Sequence, residues 1–211
     1  MLATSYLVLP CGKAAKEILG HGLIRECLLG VGTMDQRSNI NKAEVAGSKT
    51  QESHKGTTRA YRRGVGIMLL SSRNLVFAAR RIDMAVEAWQ MPQGGIDGAE
   101  APRAAAMREL KEEIGTNDVE IIGESRDWLR YDFPEEFART AWGGRYHGQS
   151  QIWYAMRFRG RDREINLDAS GHAEFSDWRW MTPIDVLNAI VNFKRPVYDA
   201  VFEEFKEILR S

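Results

Sequence analysis

Residues 102–115 leave the chain little choice but a helix. The interior is Ala, Met, Leu, Glu, Arg and Lys, all strong helix formers, with Pro102 suited to a first turn and Gly115 to a C-terminal stop. At about 100° per residue around the helix axis, Ala106, Met107, Leu110 and Ile114 fall in one apolar stripe. Glu109, Glu112 and Glu113 group on the adjoining side, with Arg108 next to Glu112. One side packs and the other presents carboxylates. Like charges three and four residues apart destabilise a helix by a few tenths of a kcal/mol per pair, about 0.2–0.5, so the cluster calls for a neutralising partner. One reading is a solvated acidic face interleaved with Arg108 and Lys111, a common arrangement. The other is a seat for a hard divalent cation, which takes oxygen ligands of this kind.

The residues in front of the helix favour the cation. Trp89-Gln90-Met91 reads as a short extended piece that Pro92 stops, running into the glycine-rich loop Gln93-Gly94-Gly95-Ile96-Asp97-Gly98. Gly94 and Gly95 permit close backbone approach, so a main-chain carbonyl can join the carboxylates, and a helix N-terminus beside a glycine loop suits phosphate. Elsewhere, residues 64–70 and 74–80 read as a hairpin about a Ser-Ser-Arg turn. Further strands are expected over 119–123, 128–133, 150–158 and 175–181, and helices over 183–191 and 195–209. There is no internal repeat and no alternating βαβ rhythm, so the expected class is α/β (α+β), a mixed sheet covered by helices.

With 44% apolar residues in 211, one core can form without a second domain. Residues 33–60 are polar and charged, too poor in large apolar side chains to offset ordering entropy. Residues 1–58 are therefore expected to be an extension, largely disordered, and residues 59–211 the packed domain. A weak helical pattern runs over 13–30, and Met34 offers an alternative start. Twenty-nine basic residues balance twenty-nine acidic ones, so no global field advertises nucleic acid. Cys11 and Cys27 lack any zinc-ligand spacing and read as free thiols of a reducing compartment. The apolar run from Tyr6 to Pro10 is far shorter than a membrane span, and a cytoplasmic protein is expected.

Gly94, then Glu100, then Arg108-Glu109-Leu110-x-Glu112-Glu113-x-Gly115 resemble the Nudix box over 23 positions, the signature of hydrolases acting on nucleoside diphosphates linked to another moiety. Ala99 and Thr116 depart from the usual residues at their positions. The blocks around Tyr61-Arg62, Trp89 to Asp97, Trp128 to Asp132, Glu174 to Trp180 and Phe193 to Tyr198 resemble the bacterial branch of that family that acts on RNA 5' ends. Diadenosine polyphosphate hydrolases are closely similar there. The resemblance implies a Nudix α/β/α sandwich with a mixed β-sheet. It also implies removal of pyrophosphate from 5'-triphosphorylated RNA to leave a monophosphate, promoting mRNA degradation. Implied with it are a divalent cation (Mg²⁺, with Mn²⁺ or Zn²⁺ as alternatives) and its ligands: Glu109, Glu112, Glu113, the Gly94 carbonyl and Glu174. Arg108 is expected to pair with a carboxylate and orient it.

Arg62, Arg80 and Arg81 lie near strand ends, and arginine suits bidentate phosphate contact. Lys194 resembles a family lysine near the substrate 5' end, while Tyr131 and Phe193 are suited to stack on or wall a base. Surface solubility and core packing are the competing readings for these residues. Trp153, Trp178 and Trp180 read as core, and His147 and His172 as loop residues with no nucleophile to serve. The rival substrate is a dinucleoside polyphosphate. A nucleotide-binding module without activity is a third reading, which the intact glutamate set disfavours. No obligate protein partner is expected.

Overall fold

The computed structural model describes residues 60–83 and 87–210. The expectations for residues 1–58, for Met34 and for the two cysteines lie outside them. Two long strands form the spine, β1 (Ala60–Leu70) and β7 (Tyr146–Phe158). They run parallel along nearly their whole length, from Ala60 against Tyr146 to Leu70 against Arg157. Each carries two shorter strands on its outer edge. On β7 these are β6 (Leu129–Asp132) and β5 (Val119–Glu124), both antiparallel. On β1 they are β2 (Val76–Arg81), which meets it only at Leu70 against Val76, and β4 (Gln93–Gly95), which pairs over Gly64 to Gly66. Antiparallel β3 (Trp89–Gln90) and β8 (Phe175–Met181) complete an eight-stranded mixed sheet by pairing with β2.

Both faces of β1 are covered, so its second half is an unbroken buried run rather than an alternation. Val65, Ile67 and Leu69 pack under α1 (Pro102–Ile114) against Ala105, Ala106, Leu110 and Ile114. Met68 and Leu70 pack on the other face, under α3 (Pro183–Ala189) and α4 (Arg195–Glu204), against Val186, Val197, Tyr198 and Val201. Helix on each side of one sheet is the expected α/β/α sandwich. No helix among the described residues is long and apolar enough to cross a membrane.

Several local expectations need correction. The segments read as a hairpin diverge after one pair because β1 is claimed by β4 and β7, and β2 by β3 and β8. Half of the glycine loop is a strand, since Gln93–Gly95 bonds to β1. The last helix breaks at Phe205 into α4 and α5 (Lys206–Arg210). A short helix α2 (Glu135–Thr140) and a 3₁₀ turn (Ala141–Gly144) had no expectation at all. His147 lies in β7 rather than a loop, its ring 4.1 Å from that of Tyr61. Trp153 is fully buried, whereas Trp178 and Trp180 are half-buried against the core.

Candidate functional site

α1 begins with Pro102 at its first position and ends on Gly115 at φ 80°, whose N–H closes on the Lys111 carbonyl. It is thus fixed at both ends above β4, the strand that carries Gly94. There the two approach very closely. A Cβ built on Gly94 would lie 1.9 Å from Cδ of Glu109, so only glycine lets that carboxylate rest on the backbone. The Gly94 carbonyl lies in turn against Gly64 of β1, where a Cβ would approach it to 2.6 Å.

The three helix glutamates do not share one environment. Glu112 is partly exposed, Glu109 largely covered, and Glu113 buried at 4% exposure, on the packing side of α1 rather than its open side. Glu113 accepts a hydrogen bond from the Gln93 backbone N–H at 3.1 Å. Burial, then the charges of Glu174 and Glu109, push its carboxyl well above the ordinary range. Burial also raises Glu109, against the pull of Arg108. Glu174, at the entry to β8, is close enough to act on both.

Arg108 ties the group together. Its Nε and Nη2 clasp Glu100 at 3.0 and 2.8 Å, and Nη2 also donates to the Gly95 carbonyl at 2.8 Å. Its Nη1 reaches Glu109 at 2.7 Å and Glu112 at 3.4 Å. The clasp holds Glu100 below the usual carboxylate range and Arg108 above its own. Among the described residues no three His, Cys, Asp or Glu side chains already stand in a coordination arrangement. Glu109 and Glu112 are instead turned to Arg108. The donor set nonetheless fits a hard divalent cation: all oxygen, mutually repelling, and one member deprived of water.

The other candidates divide into two groups. Arg62 lies over Gly95, where a Cβ would come within 2.0 Å of its Nη2. Arg81 is buried and clasps Asp83 at 2.6 and 2.7 Å, with Nη1 3.4 Å from Glu174. Arg80 points elsewhere, to Ser176. Buried Lys194 donates to Gln90 at 2.9 Å and sits 5.9 Å from the Tyr131 ring, in the core cluster that also holds Trp142. Phe193 packs against that ring at 6.1 Å. Tyr131 is itself 6% exposed and donates to Gln149, which places it within the core cluster rather than on an open face. Sequence reasoning gave no role to Glu100, Asp83, Gln90 or Trp142. Glu100 and Asp83 were within reach, since Glu100 stands in the box eight residues before the arginine it holds and Asp83 two residues after Arg81; Gln90 and Trp142 are brought in by tertiary contacts alone.

A NUDIX domain model matches residues 60–201, and the chain belongs to the Nudix family. The RNA pyrophosphohydrolase of Rhodospirillum rubrum is 55% identical over 144 residues, covering 68% of this chain and 86% of its own. That of Roseobacter denitrificans is 50% identical over 148 residues, covering 69% and 92%. Among solved structures, the E. coli dihydroneopterin triphosphate pyrophosphohydrolase superposes with a TM-score of 0.52 at 15% identity, over 67% of this chain and 97% of that one. A C. elegans Ap4A hydrolase binary complex gives 0.51 at 16%, over 71% and 98%. At these identities the structural likeness concerns the fold alone.

Proposed function

We propose that this chain hydrolyses a phosphoanhydride bond at the 5' end of triphosphorylated RNA, releasing pyrophosphate and leaving a 5'-monophosphate. The observation that carries the substrate is the 55% identity to an RNA pyrophosphohydrolase over 86% of that protein. A divalent cation, Mg²⁺ in the first instance with Mn²⁺ or Zn²⁺ as alternatives, would be held by Glu109, Glu112, Glu113, Glu174 and the Gly94 carbonyl. Bound there, it supplies positive charge for the phosphates and makes the attacking water more acidic.

The chain's own groups do the rest. Glu113, anchored by the Gln93 N–H, would present its carboxylate to the cation where water cannot screen the charge. Arg108, fixed by Glu100, orients Glu109 and Glu112. Arg81, clasped by Asp83, sets Glu174, and it meets substrate only by giving up that clasp. Arg62 supplies a cation to the phosphate chain next to the glycine strand. Lys194 and Phe193, backed by Tyr131, line the side from which the first nucleotides approach.

The purified protein with Mg²⁺ should show a higher kcat/KM on 5'-triphosphate RNA than on diadenosine tetraphosphate. A clear preference for the dinucleotide would overturn the substrate while leaving the chemistry in place. Glu100→Gln tests the scaffolding separately. With the clasp on Arg108 weakened, kcat should fall about 10- to 100-fold, as when a partner of a metal ligand is lost, and the Mg²⁺ concentration needed for half activity should rise. Parental kinetics in that variant would refute the orienting role of Arg108.

A further inference from the structure

Trp142 occupies a backbone conformation that bulky residues rarely adopt, φ 50° and ψ 37°, followed by Gly143 and Gly144 at φ 65° and 71°. Its indole Nε1 is buried and has no hydrogen-bond partner among the described residues. A phenylalanine there would bury no unpaired N–H. The ring is nevertheless held on several sides: stacked on Phe133 at 5.6 Å, and edge-on to Phe137 at 6.1 Å and Tyr146 at 6.4 Å. It also meets a cation, for the Arg62 guanidinium carbon lies 5.0 Å from the ring centroid.

Arg62 is confined from two directions. Trp142 is on one side and Gly95 on the other, and a Cβ at position 95 would strike its Nη2. Gly95 is also the residue whose carbonyl Arg108 binds, so a single residue of β4 touches both the Arg62 guanidinium and the arginine that ties the glutamates. No carboxylate among the described residues forms an ion pair with Arg62. The π-face of tryptophan, the strongest of the aromatic faces for a cation, thus holds this charge without neutralising it. We infer that Trp142 is a positioning residue that keeps the Arg62 guanidinium over Gly95, where it meets the phosphate chain of the substrate. The inference rests on the proposed phosphate contact of Arg62.

The test replaces Trp142 site-specifically with tryptophans carrying increasing numbers of ring fluorines. These preserve the shape of the ring and drain its face of negative charge. kcat/KM for triphosphorylated RNA, with Mg²⁺, should fall stepwise to about tenfold below the parent, with an unchanged Tm. The series repeated on Arg62→Ala protein should be flat. A flat series in the Arg62 protein, or an equal slope in both backgrounds, would overturn the role of Trp142. Arg62→Ala protein with parental kcat/KM would instead overturn the phosphate contact, so the two failures are distinguishable.

Discussion

Glu113→Gln is expected to lower kcat about 10²- to 10³-fold, the scale on which preorganised charges at a reacting phosphate act, and at the same time to make the metal-free protein more stable. The two effects share one cause. The carboxylate is buried and repelled by Glu174 and Glu109, so without a cation its charge opposes folding. Glutamine keeps an oxygen for the Gln93 N–H and brings no charge. The sign follows from proton binding. A carboxyl held above its ordinary 4.5 binds its proton more tightly folded than unfolded. Stability is therefore greatest below that value and declines as pH rises from it toward the folded pKa. Melting curves in a chelator should show this decline in the parent and less of it in the variant, with the variant melting higher at pH 7. A lower melting temperature for the variant under those conditions would sink the account. Adding Mg²⁺ should raise the parent's Tm by more than the variant's, because only the parent gains relief of the buried charge.

Gly94→Ala should separate activity from stability in the opposite sense to a nearby glycine. At position 94 the new methyl meets Cδ, Cγ and Oε1 of Glu109 at 1.9–2.3 Å. A flexible side chain can swing away, but it is the carboxylate that the site needs. Displacements of about 1 Å in such groups cost on the order of 10²-fold, and kcat should drop by that much with only a modest fall in stability. At Gly66 the methyl would lie 2.4–2.6 Å from three atoms of the Trp153 indole, a ring with no exposure at all. Overpacking of this kind costs about 1–3 kcal/mol, so Gly66→Ala should lose stability while its folded fraction keeps near-parental kcat. Urea melts alongside active-site-normalised kcat check both. Parental turnover in Gly94→Ala would show that Glu109 does not need its seat on the glycine strand.

What the sequence revealed was chiefly local. The helix of residues 102–114 and the strand Phe175–Met181 follow from propensity, a proline, a glycine and apolar spacing. The glutamate cluster was legible from helical periodicity, but its internal differences were not. Periodicity placed Glu113 with Glu109 and Glu112 on the open side. Its burial is decided by β4 lying across that edge of the helix, and β4 exists only through its bonds to β1. The same holds for the supposed hairpin, since short-range turn signals say nothing of a competing partner such as β7. Trp142 was silent because a left-handed tryptophan has no signature beyond the two glycines after it.

Pairing β1 with β7 has a consequence for how the protein comes into being. As the chain leaves the ribosome, residues 60–70 emerge long before residues 146–158, and until then the spine has no second half. The glutamate helix lies within the intervening stretch, so it waits on a closure that spans most of the domain, the sort of distant contact that slows folding. Truncation before residue 146 should therefore yield a nascent chain with the complete box and no usable site. A ribosome-stalled series lengthened through β7, then through β8 with Glu174 and the covering helices α3 and α4, should gain protease resistance and nucleotide hydrolysis together only at the last step.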